Sequence, residues 1–276
     1  MIRTWQITPH GAKEIDISNA SSLDAVTRQL PEGYYTTFRT YDSCTRVIGL
    51  KAHLRRLPNA DASLLRRNLY RLLEPYRPGE ARVRLMETRQ GRVYISIEPL
   101  KLPPPEVYER GVRVETVTLQ RKNPREKSTA FIGASEEERK KIAKLGLFEA
   151  LLVKNGRILE GMTSNFFYVR GGVLYTARRG ILLGVTRTMV IRAARGAGVQ
   201  VRYQPLKLNQ LPAVDEAFIT SSSRGIVPVI QIDDIPVGEG RRRAEPAEAV
   251  GALTKQLSAA YEAYVRQRAE RIVSLS

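Results

Sequence analysis

The residues best suited to chemistry in this 276-residue chain are a lysine, a carboxylate and several turns rich in glycine and hydroxyl groups. Lys127 follows a predicted strand, and a lysine amine becomes a nucleophile when burial and nearby cations lower its pKa. Glu160 lies 33 positions later, between a predicted strand and a glycine. The segment 183–188 predicts a glycine turn at a helix start, where free N–H groups can hold a phosphate. Taken singly, each signal is also typical of an ordinary surface residue or a capped helix.

Several common kinds of catalytic site are excluded by what the sequence lacks. His10 and His53 are the only histidines and Cys44 is the only cysteine, so the residues for a catalytic metal cluster are missing and no metal is expected. The nucleophile motif G-x-S-x-G is absent, as are a Walker A loop and a Rossmann glycine motif after the first strand. The remaining chemistry therefore centres on the lysine and the carboxylate.

Six blocks of sequence occur in an order that is more specific than any one of them. They are His53–Leu57, Asn123–Thr129, Glu160–Phe167, Gly180–Arg187, Asp215–Ser223, and Ile226–Val229 with Ile232–Asp233. Together they resemble the fold-type IV, or class IV, pyridoxal-phosphate enzymes, which include branched-chain and D-amino-acid aminotransferases and aminodeoxychorismate lyase. The resemblance implies an enzyme with pyridoxal 5'-phosphate as cofactor.

The resemblance also assigns roles to the chemical residues. Lys127 matches the catalytic lysine that forms a Schiff base with the cofactor and later moves the proton. Glu160 matches the carboxylate that faces the pyridine nitrogen and keeps the ring protonated, so that the ring can withdraw electrons. The implied reaction is ping-pong transamination between an amino acid and a 2-oxo acid.

Further matches concern the cofactor phosphate and the substrate. Arg56 matches the phosphate clamp, a task that suits a guanidinium. Val185 and Thr186 match backbone phosphate donors, and Ser222 matches a hydroxyl contact to the phosphate. Ser223 lies where the family binds the substrate carboxylate through backbone N–H groups.

The substrate is less closely defined by the sequence. Tyr35, Thr37 and Arg39 fall on the small-lobe strand that faces the cofactor in this family, and its aromatic and methyl surface favours aliphatic or branched-chain donors. Branched-chain enzymes have a tyrosine five residues after the lysine, where this chain has Ile132. An aliphatic residue there is compatible with a D-amino-acid transaminase. The Tyr35–Arg39 strand resembles that of the lyase, but the residues after Lys127 do not.

The charge of the chain suggests a different class of protein. Lys and Arg together number 45 against 28 Asp and Glu, which gives a net charge of +17 that attracts anions. The alternative is a basic protein that binds single-stranded nucleic acid through scattered Arg and Tyr side chains. Dedicated nucleic-acid proteins concentrate their basic residues in an arm or stripe, whereas these are spread along the chain, so we expect no nucleic-acid partner.

The elements that must position these residues are of mixed type. Strands are predicted at 33–41, 81–86, 92–97, 112–119, 149–153, 165–169 and 216–219, and helices at 53–73 (with a break near Pro58), 136–145, 187–197 and 248–272. The prolines 103–105 predict a stiff extended linker. We therefore expect an α+β fold of type IV with the cofactor between two lobes. A small α/β sandwich lobe covers 1–101, a linker covers 102–110, and a larger pseudo-barrel, cofactor-binding lobe covers 111–276.

Other properties follow from composition or from the resemblance. The single cysteine, the lack of an apolar run of about 18 residues and an N-terminus unlike a signal peptide predict a cytoplasmic protein without membrane contact. The resemblance implies a homodimer that acts on small amino acids and 2-oxo acids.

Overall fold

The computed structural model describes residues 1–238 and 250–273, which form two compact units. The first unit consists of Met1–Leu102, Glu126–Ala134 and the described part of Val265–Ser276; the second consists of Pro103–Arg125 and the described part of Ser135–Tyr264. The sequence predicts lobes that are continuous in the chain. The units are not continuous, because the short segment that carries Lys127 belongs with the N-terminal residues.

An antiparallel sheet of five strands forms the centre of the first unit. Its strands are β1 (Arg3–Thr8), β2 (Gly11–Ile15), β3 (Gly33–Arg39), β5 (Ala81–Thr88) and β6 (Val93–Pro99). They lie in the order β2-β1-β6-β5-β3, so β3 is an edge strand of this sheet. The predicted pairing of two strands around Gly91 is confirmed by the register of β5 and β6, in which Leu85 lies opposite Ile95.

Helices and one small sheet complete the first unit. They are α1 (Leu23–Arg28), α2 (Leu50–Leu54), α3 (Ala62–Leu72) and α5 (Ala130–Ala134), with a 3-10 helix at Glu74–Tyr76 and the pair β4 (Arg46–Val47) and β17 (Glu270–Arg271). The helical segment predicted over 53–73, with a break near Pro58, is confirmed to consist of two helices. The break lies at the predicted Pro58–Asn59, and α3 begins where the Asp61 side chain accepts hydrogen bonds from two backbone N–H groups.

The two faces of β3 differ because side chains alternate along a strand. Phe38 lies on one face, in a core that also contains Leu69 and Leu85. Tyr35 lies on the opposite face, in a separate apolar cluster with Ile132. The residues predicted to face the substrate, Tyr35 and Thr37, thus share a face of β3.

The second unit is built on a mixed sheet of ten strands. These are β7 (Val112–Val117), β8 (Glu149–Lys154), β9 (Arg157–Gly161), β10 (Asn165–Arg170), β11 (Val173–Thr176), β12 (Val201–Tyr203), β13 (Leu206–Lys207), β14 (Glu216–Ser221), β15 (Gly225–Ile232) and β16 (Ile235–Pro236). The order is β12-β11-β10-β14-β15-β7-β8-β9-β13, with β16 paired to β15. The sheet is curled as a half-barrel.

Helices flank this sheet. They are α4 (Pro105–Arg110), α6 (Glu136–Lys144), α7 (Val185–Gly196) and α8 (Ala252–Arg268), with a 3-10 helix at Leu208–Ala213. The core includes Val114, Leu151, Phe166 and Ile219, all nearly inaccessible to solvent.

The prediction of a stiff extended segment is wrong at the last of the three prolines. Pro105 is the first residue of α4. Proline is tolerated there because the N–H that it lacks has no partner within the first turn of a helix. The predicted linker 102–110 therefore contains a helix rather than an extended segment.

The C-terminal prediction is also corrected in part. A helix is predicted over 248–272, of which residues 248–249 lie outside the described residues. The described helix ends at Arg268, and the chain then forms β17. No helix in the described residues is long and apolar enough to cross a bilayer. Among the same residues, no group of three or more His, Cys, Asp or Glu side chains could hold a metal ion.

Candidate active site

Lys127 is held by backbone pairing with the edge strand β3. The Lys127 carbonyl accepts a hydrogen bond of 2.9 Å from the Tyr35 N–H, and Ser128 forms an isolated bridge with Tyr34. Thr129 bonds Gly33 through both its N–H and its hydroxyl group, at 2.9 and 3.0 Å. A side chain at position 33 would meet the carbonyl oxygen of Glu87 at 2.0 Å, so glycine is required there. Pairing across more than 90 positions thus fixes the lysine.

The Lys127 side chain is half-buried and lies beside an aromatic ring. Its Nζ is 4.7 Å from the centroid of the Tyr35 ring, and the Arg84 guanidinium carbon is also 4.7 Å from that centroid. An aromatic face attracts a cation. The same ring therefore contacts the proposed nucleophile and a second, buried cation.

Arg84 is a residue that the sequence prediction missed. It is buried, pairs with Asp24 at 2.7 Å, and donates to Thr37 Oγ1 at 3.0 Å and Thr27 Oγ1 at 2.7 Å. Tyr35 and Thr37 are thus joined by one guanidinium. The alternating apolar pattern of β5 gave no signal that an arginine within it would be buried.

Behind β3, a buried histidine joins the strand to α2. His53 is inaccessible to solvent, and its Nδ1 lies 2.6 Å from Thr36 Oγ1. Burial lowers the pKa of His53 well below its usual value, and the positive charges of Arg56 and Lys127 act in the same direction. His53 is therefore neutral at pH 7. Arg56, the predicted phosphate clamp, follows α2 and is half-buried.

Arg39, the third residue predicted to face the substrate, contacts a different ring. Its guanidinium carbon is 4.5 Å from the Tyr41 ring centroid. Its buried Nε has no hydrogen-bond partner among the described residues. An orphaned donor of this kind is costly unless a further group pairs with it.

Glu160 lies at the end of β9 and is almost completely buried. Its Oε1 accepts from Arg121 Nε at 3.0 Å, and its Oε2 accepts from the Leu182 N–H at 3.0 Å. Asn165 Nδ2 lies 3.4 Å from the same Oε2 and donates to the Leu182 carbonyl at 2.8 Å. These contacts fix the plane of the carboxylate.

Arg121 is the second residue missed by the sequence prediction. Its side chain is as buried as that of Glu160, and its Nη2 donates to the Met162 carbonyl at 2.7 Å. A buried carboxylate requires a compensating charge. This requirement was the signal that could have led from Glu160 to a nearby arginine.

The predicted phosphate residues of the second unit lie together at the start of α7. Thr186 Oγ1 and Ser222 Oγ are 3.0 Å apart, and Val185 is the first residue of the helix. No side chain in the described part of the chain caps α7, whose N-cap residue is Gly184. Ser223 follows in the turn between β14 and β15 and is half-buried.

The start of α7 fits a bound phosphate group. The first N–H groups of a helix have no intrahelical partner, and the helix dipole favours an anion there. Two hydroxyl groups at the same end add donors. A side chain at Gly184 would meet Asn165 Oδ1 at 2.1 Å, so this position also favours glycine.

Comparisons with known proteins show which proteins this chain is similar to. A provisionally named branched-chain-amino-acid aminotransferase of Methanocaldococcus jannaschii is 31% identical over 260 residues, covering 82% of this chain and 84% of that one. D-alanine aminotransferase of Bacillus licheniformis is 24% identical over 258 residues, covering 85% and 88%. A crystal structure of a provisionally named branched-chain amino acid aminotransferase from Thermotoga maritima matches with a TM-score of 0.76 and 25% identity over 96% of both chains.

The structural match confirms the predicted mixed fold of type IV. The model of the family described as amino-transferase class IV matches residues 33–232, which contain Lys127, Glu160 and the start of α7. Class IV aminotransferases use pyridoxal phosphate. The resemblance found in the sequence is thus confirmed, and this chain belongs to the class IV aminotransferases.

Proposed function

We propose that this enzyme moves an amino group between an aliphatic or branched-chain amino acid and a 2-oxo acid, using pyridoxal phosphate in a ping-pong reaction. The observation that supports this most strongly is the buried pair of Glu160 and Arg121, whose side chains are 2% and 5% exposed. An ionised carboxylate in a protein interior is costly. A carboxylate that is held ionised there suits the task of keeping a pyridine nitrogen protonated.

The residues that the family resemblance assigns to the cofactor are proposed to hold it. Arg56 and the Ser222 hydroxyl group bind its phosphate, together with the N–H groups of Val185 and Thr186. Glu160 accepts the hydrogen of the ring nitrogen, and Arg121 keeps the Glu160 carboxylate ionised and oriented.

Lys127 is proposed to be the nucleophile and the proton carrier. When bound, pyridoxal phosphate supplies an aldehyde that condenses with amines and a cationic ring that withdraws electrons. Lys127 Nζ would be the amine that holds the aldehyde group of the cofactor. The same Nζ, when free, would accept the proton of the substrate α-carbon and return it. The Tyr35 ring, 4.7 Å from Nζ, orients this side chain.

The preference for aliphatic substrates is supported by the face of β3 that carries Tyr35. Tyr35, Met86, Tyr94 and Ile132 form one buried apolar cluster. Thr37, Arg39 and Ser223 are proposed to bind polar groups of the substrate.

A D-amino-acid transaminase is the second candidate. The Bacillus licheniformis relative is named for D-alanine, and the fully buried Ile132 occupies the position where branched-chain enzymes have a tyrosine. Aminodeoxychorismate lyase is the third candidate, because the Tyr35–Arg39 strand resembles that of the lyase.

A donor panel separates these candidates. The holoenzyme is mixed with L-Leu, L-Val, D-Ala, D-Glu or (R)-1-phenylethylamine, and conversion of the cofactor to its amine form is followed by absorbance. We expect the fastest conversion with L-Leu or L-Val. Faster conversion with D-Ala would instead favour the second candidate. Release of pyruvate and 4-aminobenzoate from aminodeoxychorismate without an amino acceptor would identify a lyase.

We also propose that the enzyme is a cytoplasmic homodimer. The dimer follows from the family resemblance, and the location follows from the single cysteine, Cys44, which is buried. Sedimentation analysis of the purified holoenzyme is expected to give twice the chain mass of 31.1 kDa. A monomer with full activity would contradict the dimer.

A further inference from the structure

Two turns of the second unit carry the residues proposed to contact the cofactor. The acid turn, Glu160–Asn165, joins β9 to β10. The serine turn, Ser221–Gly225, joins β14 to β15 and contains Ser222 and Ser223. An ion pair between the buried Glu149 and the half-buried Arg224, which is no part of the proposed chemistry, connects the two turns.

Glu149, the first residue of β8, holds the acid turn. Its Oε1 accepts from the Thr163 N–H at 3.0 Å, and its Oε2 accepts from the Thr163 hydroxyl group at 2.7 Å. A side chain at Gly161 would meet the Glu149 Cγ at 3.3 Å, so the Glu149 side chain packs directly on this turn. The Glu149 side chain is only 4% exposed.

Arg224 connects this carboxylate to the serine turn. Its Nη2 lies 3.0 Å from Glu149 Oε2 and 2.7 Å from Thr163 Oγ1. Its Nε donates to Ser221 Oγ at 3.1 Å, and its guanidinium carbon is 5.0 Å from the Phe148 ring centroid. The Thr163 hydroxyl can donate to Glu149 and accept from Arg224 at the same time, so the network is chemically consistent.

The backbone of Arg224 is also fixed. Its carbonyl accepts from the Tyr108 hydroxyl group at 3.1 Å. Ser222, two residues earlier, is held on its other side by Thr186. The serine turn is thus fixed at one end by the ion pair and at the other by the start of α7.

We propose that Glu149 and Arg224 are positioning residues for the serine turn, and that they set the affinity of the enzyme for the phosphate group of its cofactor. This inference rests on the proposed function, because it requires Ser222 to contact that phosphate. The affinity gained from preorganised donors depends on holding them in place before the ligand binds. Loss of Arg224 leaves Glu149 bonded to Thr163 in the acid turn, so it is expected to weaken binding of the phosphate and not of the pyridine ring.

The test compares pyridoxal phosphate with pyridoxal, which lacks the phosphate. The full-length chain is freed of cofactor and titrated with each compound, and binding is followed by absorbance. In Arg224→Met, we expect affinity for pyridoxal phosphate to fall by about tenfold or more, because the buried Glu149 carboxylate loses its charged hydrogen-bond partner and the serine turn loses its support. Affinity for pyridoxal is expected to stay unchanged, and Arg224→Lys is expected to restore part of the loss.

Two further variants keep the test decisive. If the lone Glu149 charge prevents Arg224→Met from folding, Glu149→Gln/Arg224→Met removes both charges. Because the glutamine oxygen can still accept from the Thr163 N–H and so hold the acid turn, this variant is expected to show the same selective loss. Glu216→Gln is the matched control, since Glu216 is also buried, lies at the other end of β14 and caps α8. It is expected to reduce stability without changing the preference for the phosphorylated compound.

The outcomes separate this inference from the proposed function. If a folded Arg224 variant loses affinity equally for pyridoxal phosphate and pyridoxal, or for neither, the proposed role of the pair is overturned. If the wild-type chain itself binds no pyridoxal phosphate, the proposed function fails instead.

Discussion

Arg121 is the residue on which the buried Glu160 carboxylate depends. Replacing Arg121 by Met leaves that charge without its partner, and breaking a buried pair in this way costs about 3 kcal/mol or more. We expect the free energy of unfolding, measured with urea, to fall by that amount and cofactor retention to fall with it. Arg113→Met, an exposed position on β7, is the control and is expected to change stability by less than about 0.5 kcal/mol. Similar values for the two variants would show that the pair contributes little.

His53 gives the enzyme a predictable response to acid. Its pKa is lowered in the folded state, so between its folded pKa and about 6.5 the unfolded chain binds one proton more than the folded chain. Stability contributed by neutral His53 is therefore present above pH 6.5 and lost as pH falls, by up to about 1.4 kcal/mol per pH unit.

This response is measured by urea unfolding at pH 7 and pH 5. We expect His53→Gln, which retains a hydrogen-bonding group beside Thr36, to lose less stability over this interval than the wild type. His10→Gln, at an exposed position, is expected to behave as the wild type does. An equal pH dependence in wild type and His53→Gln would contradict the lowered pKa.

Two glycines at opposite ends of helix α7 allow its role in cofactor binding to be tested. Gly184→Ala places a methyl group 2.1 Å from Asn165 Oδ1, and relieving this overlap costs about 2 kcal/mol by displacing the Asn165 side chain. Because Asn165 also holds Leu182, we expect weaker cofactor binding in an absorbance titration.

Gly196→Ala is the control at the other end of α7. No atom lies within 4 Å of the added methyl group, and alanine favours a helix, so stability is expected to rise by roughly 0.5 kcal/mol. Equal cofactor affinity in both variants would show that the start of α7 takes no part in binding.

The helices and strands also show which features of the fold could be predicted from the sequence. Strand β3 was predictable, because its segment is rich in aromatic and β-branched residues. The lysine and the carboxylate were found because short motifs stay together in sequence. The placement of the Lys127 segment against β3 could not be predicted from the sequence, since it depends on hydrogen bonds between residues more than 90 positions apart. Arg121 and Arg84 were missed for the same reason, as their partners are distant in the chain.

At the scale of the whole molecule, the net charge of +17 is expected to cause binding to polyanions without a specific site. Retention on immobilised single-stranded DNA should fall steeply as salt rises and be the same in Lys127→Ala. Titration with oligonucleotides of increasing length should show no defined site length. Saturable, length-dependent binding that persists at physiological salt would favour the nucleic-acid alternative.

The central claim is that Lys127 bonds covalently to pyridoxal phosphate, and borohydride reduction tests it most directly. Reduction of the holoenzyme followed by proteolysis and mass spectrometry is expected to show a phosphopyridoxyl group on the peptide that contains Lys127. Lys122→Ala, in the same loop, should keep this label and its activity, whereas Lys127→Ala should lose both. A label on another lysine, or transamination by Lys127→Ala at the wild-type rate, would contradict the account.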